Sequence, residues 1–400
     1  MRTTTEVRCG DGLAVDADLV RAAEMATADA LASLGGATPD LALVFACGPE
    51  PEDVASALSR AGELSGAGTV LGCSAPGVIG GGHGVEMTSS VSVWLARLPG
   101  VSLRSFHLEV LRTSEAIAVV GMPTRRADDR AAVLLVDPYS FPVDAFVEEA
   151  NDSLPGLPIS GGNASGLRGA GSTRLLVDGV VHDRGAVGLV LGGALAYRTV
   201  VSQGCRPVGP TMTVTAAEGN VVLGLAGKPA VEKLEEVLAQ LPPNEQAMVT
   251  TGLHLGVAMD EYADEHGPGG FVVRGVVGAE PERGGLVVGD VVEVGQTVQL
   301  QVRDAESADS DLQAMLLDVP PGVAGALLFS CTGRGAKLFG SADHDVVAVR
   351  DGLHATGVAG FFAAGEIGPV AGRSHLHGFT ASVLAFLDEP GEDVSERLAH

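Results

Sequence analysis

Residues 41–82 contain LALVFACG (41–48), PEPEDVASALSRA (49–61) and TVLGCSAPGVIGGG (69–82). The first run is apolar without a break, as a strand covered on both faces must be. The second opens with Glu52 and Asp53 in the first turn of a helix that gathers Val54, Leu58 and Ala61 on one face. The third is a strand that breaks into a glycine-rich loop. The same order returns in AAVLLVDP (131–138), FPVDAFVEEAN (141–151) and LPISGGNASG (157–166), about 90 residues on. It returns again in AGALLFSCTGRG (324–335), DHDVVAVRDGL (343–353) and VAGFFAAGEIGPVAG (358–372). One strand–helix–strand unit is thus expected three times, its strands parallel through right-handed crossovers. The copies are too imperfect for a solenoid.

Working outward, Val15, Leu19, Ala22, Ala26, Ala30 and Leu34 recur at helical spacing, which predicts a first helix over 14–34. TRLLVDGVVHDRGAVGLVLGG and LAYRTVVSQGCRP carry strand runs joined by Asp-Gly and Gly-Gly, expected as antiparallel hairpins. GKPAVEKLEEVLAQL is the clearest helix, with Pro229 near its start and Val231, Leu234, Leu238 and Leu241 as its stripe. FVVRGVVGAEPERGGLVVGDVVEVGQTVQLQVRDA is again strands and turns. The expected fold class is α/β. It comprises two mixed-sheet domains, 1–226 and 227–400, with reused strand–helix–strand units and antiparallel hairpins.

The composition fits. Four hundred residues suit two domains, and 46% hydrophobic with 19% charged excludes a disordered chain. Fifty-six glycines, 21 prolines and 4% aromatics favour short strands and tight turns. Fifty acids against 25 bases leave a net charge of −25, which repels phosphate backbones and anionic headgroups. Neither nucleic acid nor membrane is an expected partner. The amino terminus lacks the apolar region of a signal peptide, and the longest apolar stretch, Ala186 to Ala196, is about half a membrane span. Five widely spaced cysteines without a CxxC argue for a reduced, cytoplasmic protein rather than a disulfide scaffold.

The strings GCSAPGVIGGG (72–82), GGNASG (161–166), VVSQGCRPVGP (200–210), LLFSCTGRG (327–335) and GFFAAGEIGPVAGRSHLHGFTASVLAF (360–386) resemble, in this order, the FIST family. The resemblance spans roughly residues 30–385 and both the amino- and carboxy-terminal parts of that family. It implies a small-ligand sensory domain, with amino acids as the suggested ligands. No kinase, cyclase, chemotaxis or F-box region is read in the sequence, so a sensor of this kind is expected to signal through a partner or to serve as something else.

Four glycine-rich loops, GCSAPG, GGNASG, CTGRG and AAGEIG, follow buried strands, and their N–H groups could converge on a ligand; plain turn chemistry is the alternative. Cys73, Ser74 and Asn163 lie in the first two. None of the loops matches a dinucleotide or phosphate-loop pattern, so no nucleotide cofactor is expected. Arg206, Arg334 and Arg373 are glycine-flanked, and a guanidinium binds a carboxylate bidentately; each could instead tie down loop carbonyls or an Asp. Glu366 could accept an ammonium group or cap a turn. Cys331, beside Arg334 and free backbone N–H groups, is the cysteine expected to react, unless it is a small buried hydrophobe. Cys47 ends a strand, and Cys9 is placed in an amino-terminal arm. His375 and His377 share a face if extended and are candidate partners for Cys331; no third ligand suggests a metal, and hydrogen bonds to loop carbonyls are preferred.

The leading expectation is a cytoplasmic small-ligand sensor that holds an amino acid or similar metabolite between Arg334 or Arg373 and Glu366, with Cys331 close by. Arg206, His377, Cys73, Ser74 and Asn163 complete the candidate set. The alternatives are an enzyme using Cys331 with His375 or His377, and a protein-interaction module.

Overall fold

The computed structural model describes residues 6–112, 117–259 and 270–388. The first copy runs through strand β1 (Arg8–Val15), helix α1 (Leu19–Ser33), β2 (Leu41–Cys47), α2 (Pro51–Ser65), β3 (Thr69–Ser74), the hairpin β4 (Gly77–Gly80) and β5 (His83–Glu86), and β6 (Ser90–Arg97). The second has β7 (Val101–Arg112), β8 (Ile117–Val120), β9 (Asp129–Val136), α3 (Val143–Ser153), β10 (Ile159–Asn163), the hairpin β11 (Leu175–Val177) and β12 (Val180–His182), and β13 (Ala186–Gly193). After β14 (Tyr197–Ser202) comes a separate stretch with β15 (Cys205–Glu218), β16 (Val221–Leu225), β17 (Lys228–Pro229), α4 (Ala230–Gln240), α5 (Pro243–Thr251), β18 (Leu253–Ala258), β19 (Phe271–Glu280), β20 (Gly285–Val288) and β21 (Thr297–Arg303). The third copy resumes with α6 (Ala305–Leu317), β22 (Val323–Cys331), α7 (His344–Leu353), β23 (Gly357–Ala363), the hairpin β24 (Glu366–Val370) and β25 (Arg373–His377), and β26 (Ala381–Leu387).

The three expected units are present, and each pairs its two strands in parallel: β2 with β3, β9 with β10, β22 with β23. Each first strand also pairs antiparallel with the last strand of its copy: β6, β13 or β26. The hairpin that follows each unit leaves its own copy. The β4–β5 hairpin adds to β23, β11–β12 adds to β3, and β24–β25 adds to β10. The result is three sheets, ordered β1-β6-β2-β3-β11-β12, β25-β24-β10-β9-β13-β7-β8 and β14-β26-β22-β23-β4-β5. The exchange is cyclic, and it ties the copies together by backbone bonds. The expected hairpin across Gly192-Gly193 does not form: β13 and β14 belong to different sheets.

Alternation explains the layers. Leu43 and Phe45, Val133 and Leu135, and Leu327 and Phe329 face one central core shared by all three sheets. Phe361 sits between Phe45 and Phe329, with ring centroids 5.2 Å and 5.6 Å away. The opposite faces take helices: Ala42, Val44 and Ala46 pack with α1 and α2, and Ala132, Leu134 and Val136 with α3. Both faces are covered, so the strands read as unbroken apolar runs. Helix α1 begins at Leu19 rather than near residue 14 because Asp18 caps it, accepting from the Val20 and Arg21 N–H groups. Cys9 is not in a loose arm; it is 4% exposed within β1.

By its internal contacts the chain forms two compact units, residues 1–201 with 313–400, and residues 202–312. Position 226 falls inside the second, so the compact units divide the chain differently from the sequence boundary. The second unit is antiparallel. Its strands run β15-β21-β18-β19-β20-β16, and β15 pairs back with β16, which closes a barrel. Val214, Val222, Leu255, Leu286, Val298 and Leu300 fill it, and Val237 of α4 joins that core.

The parallel strands of each copy meet at a glycine: Val44 with Gly72, Leu134 with Gly161 and Leu328 with Gly360. A Cβ on Gly360 would lie 1.7 Å from the Leu328 carbonyl oxygen. Gly360→Ala is therefore expected to cost about 1–3 kcal/mol and to lower Tm in a thermal melt. Gly68→Ala, whose Cβ meets only the Asp40 oxygen at 3.8 Å, is the control and should melt like the parent.

Candidate functional site

The four glycine-rich loops do meet, through backbone bonds: Ser165 N–H donates to Ser74 O, Asn163 N–H to Gly365 O, and Thr332 N–H to Ala363 O. They meet as strand crossings at which Ser74, Asn163, Cys331 and Glu366 are buried. At one of these crossings polar groups collect in the third copy. Arg334 follows the end of β22 and is wholly buried, as is Glu366 at the start of β24, while Cys331 is 6% exposed.

Arg334 is held by a residue the sequence reading did not single out. Its Nε donates to Asp345 Oδ2 at 2.7 Å and its Nη2 to Oδ1 at 3.0 Å. Asp345 lies in the first turn of α7 and also accepts from the Ser330 hydroxyl at 2.6 Å. Burial alone would raise the Asp345 carboxyl; Arg334, with bonds from His344 and Ser330, holds it well below the usual carboxylate range. Burial works against the Arg334 charge too, yet Asp345, with Cys331 and Glu366 behind it, keeps the guanidinium above its ordinary range. Phe339 lies under it, 5.3 Å from ring centre to guanidinium carbon. The remaining nitrogen, Arg334 Nη1, is buried and has no hydrogen-bond partner among the described residues.

Glu366 accepts from the Thr380 N–H at 3.0 Å and the Thr380 hydroxyl at 2.9 Å through Oε2, and from Gly365 N–H through Oε1. Burial pushes its carboxyl up to about 7, against the lowering pull of Thr380, the Cys331 thiol and Gly365 N–H. The Cys331 thiol thus favours the charged form of Glu366 and couples electrostatically to Arg334. Its sulfur also accepts from Gly333 N–H at 3.4 Å. Beyond it, Gly335–Phe339 form a single π-helical turn, and Glu86 of β5 fixes that turn by accepting from Ala336 N–H at 2.9 Å. Such turns concentrate at functional sites.

The other candidates lie apart from this cluster or serve the frame, except Asn163 and His377, which border it, His377 being buried opposite Glu366 in the β24–β25 pairing. Arg373 is exposed and pairs with Asp152 at 3.2 Å, so it is a surface ion pair. Arg206 belongs to the 202–312 unit, where Glu245 holds it at 2.8 Å. Cys73 is fully buried in the central core, and burial raises its thiol well above the usual range. The Ser74 hydroxyl accepts from Arg174 N–H at 2.9 Å and fixes the β11 hairpin. Asn163 borders the cluster: its amide donates to Ala364 O at 3.2 Å, and Glu366 pairs across the sheet with the preceding Gly162. His375 and His377 do share a face, with rings 5.8 Å apart, and His377 Nε2 lies 3.0 Å from Gly368 O. Two surface clefts, of about 340 Å³ beside Arg8 and Asp388 and about 490 Å³ beside Asp40 and Arg97, include none of the cluster.

Fold and cluster together define an α/β protein built from three copies of one unit, with a buried Arg–Asp–Glu–Cys group in the third. The comparison with family models places the class: residues 40–228 match the FIST N domain and residues 230–369 the FIST C domain. The chain belongs to the FIST family. "Uncharacterized protein Rv0628c" of Mycobacterium tuberculosis H37Rv is 42% identical over 386 residues, 96% of this chain and all of the relative. "Uncharacterized protein Mb0898c" of Mycobacterium bovis is 40% identical over 387 residues, with the same coverage. The family match is consistent with a sensory domain. No helix among the described residues is long and apolar enough to cross a membrane.

Proposed function

We propose that this chain is a cytoplasmic small-ligand sensor, and that its ligand, an amino acid or similar zwitterionic metabolite, engages Arg334 and Glu366. One observation carries the reading. The residue that precedes the pairing partner of each copy's strand glycine is Val78 in the first, Leu175 in the second and Glu366 in the third. Val78 and Leu175 are buried apolar side chains. The fold is therefore completed twice without a charge at this position, and the acid in the third copy answers to something other than folding.

Asp345 already occupies the bidentate edge of Arg334, so a ligand carboxylate is left Nη1, and the ammonium falls to Glu366. Both groups are closed off, so binding requires the Thr332–Gly340 segment, with its π-helical turn, to move. Such motion gives a sensor its signal, which this chain passes to a protein partner. Thermal shift against a panel of amino acids and organic acids is the test. A ligand at 100 times its Kd adds about 2.7 kcal/mol. Glu366→Gln should abolish the shift and Arg373→Ala should keep it. A flat response across the panel, or a shift that survives Glu366→Gln, removes the reading.

A further inference from the structure

We propose that Cys331 is a hydroperoxide-reactive thiol, oxidised reversibly to a sulfenic acid with Glu366 and Arg334 as its acid–base and charge-stabilising partners. The three groups form one constellation: the Cys331 N–H donates to the backbone oxygen of Thr380, which itself donates to Glu366, the Arg334 N–H donates to Cys331 O, and Arg334 Nη1 is buried and unpartnered among the described residues, with the thiol acting on both charges. The size of the site selects the oxidant. With Arg334 and Glu366 wholly buried and Cys331 only 6% exposed, the site favours a small oxidant over a bulky electrophile.

The step balances. The Cys331 thiol gives its proton to Glu366, and the sulfur attacks one peroxide oxygen. An S–O bond forms as the O–O bond breaks. The leaving hydroxide takes the proton back from Glu366 and departs as water, so the sulfur is oxidised by two electrons and the peroxide reduced. Negative charge grows on the departing oxygen, where Arg334 Nη1 donates. A small thiol condenses with the sulfenic acid to a mixed disulfide, releasing water, and a further thiol displaces Cys331 from it as the free thiol, leaving as a disulfide with the first.

The fold supplies an internal control. Cys47 ends β2 as Cys331 ends β22: each lies three residues beyond the strand residue that faces its copy's glycine. Among the described residues no acid or arginine is found to act on the Cys47 thiol, which burial pushes up to about 11. The experiment treats the full chain with hydrogen peroxide at pH 7, removes the peroxide, unfolds the chain in dimedone so that the trap reaches buried sulfur, and reads each cysteine by peptide mass spectrometry. We expect the adduct on Cys331 at least tenfold faster than on Cys47, and at least tenfold slower in Glu366→Gln. No adduct on Cys331, equal rates at Cys331 and Cys47, or a rate unchanged by Glu366→Gln overturns the proposal. The reaction needs no metabolite. A chain that binds an amino acid yet leaves Cys331 unlabelled overturns this inference alone, and labelling without metabolite binding overturns only the sensor reading.

Discussion

Arg334→Met should destabilise the chain by about 3–5 kcal/mol, the cost of leaving one member of a buried ion pair without its partner. Arg334 is wholly buried and gives two hydrogen bonds to Asp345, itself 3% exposed. Without the guanidinium, Asp345 keeps only its bonds from Ser330 and His344, too few to replace water around a carboxylate. The double variant Arg334→Met with Asp345→Leu removes both charges and should recover most of the loss, since a buried pair adds little net stability over apolar residues of similar volume. Urea titrations of the parent, the single and the double variants give the comparison. If single and double variants unfold at the same midpoint, the pair is not what stabilises this region. By the same reasoning, a binding defect in Arg334→Ala would be confounded with unfolding.

The strand–helix–strand units were legible because burial on both faces leaves a signal that needs no tertiary knowledge, as in Leu41–Cys47 and Val323–Cys331. Cys331, Arg334 and Glu366 were legible for the converse reason: polar groups stand out among apolar and small residues. Asp345 was not, because an acid in the first turn of a helix is ordinary dipole chemistry until its partner, 11 residues earlier, is placed beneath it. Arg373 and Arg206 carry the same glycine-flanked signature as Arg334 yet pair with Asp152 and Glu245, and spacing alone cannot separate a buried guanidinium from an exposed one. The hairpin exchange was hidden for a related reason. Turn chemistry fixes that β4 pairs with β5, but which foreign strand β4 joins depends on how the three sheets close around Phe361.

Glu366→Gln should change the pH dependence of stability by about 3 kcal/mol between pH 4.5 and pH 8. Burial raises the folded carboxyl from an ordinary 4.5 to about 7, and each unit of difference is worth about 1.4 kcal/mol. The folded state then holds a proton that the unfolded chain has already released. Stability from this group is full below pH 4.5 and is lost as the pH rises through 7. Asp11, raised to about 6 chiefly by burial, acts in the same direction over a lower window, so the decisive quantity is the difference between parent and variant. Glutamine keeps an acceptor for Thr380 but cannot ionise, so the variant should gain on the parent as the pH rises and match it near pH 4.5. Glu366→Val, which copies Val78 of the first unit, should gain at least as much at pH 8 if the site repacks. A parent and a Glu366→Gln variant whose stabilities run parallel from pH 4.5 to 8 would mean that Glu366 is not protonated in the fold near neutrality. That result would leave Glu366 an ionised carboxylate, still able to take the Cys331 proton. A widening gap would show that the third copy carries a charge its sibling copies do without, at a measurable cost in stability.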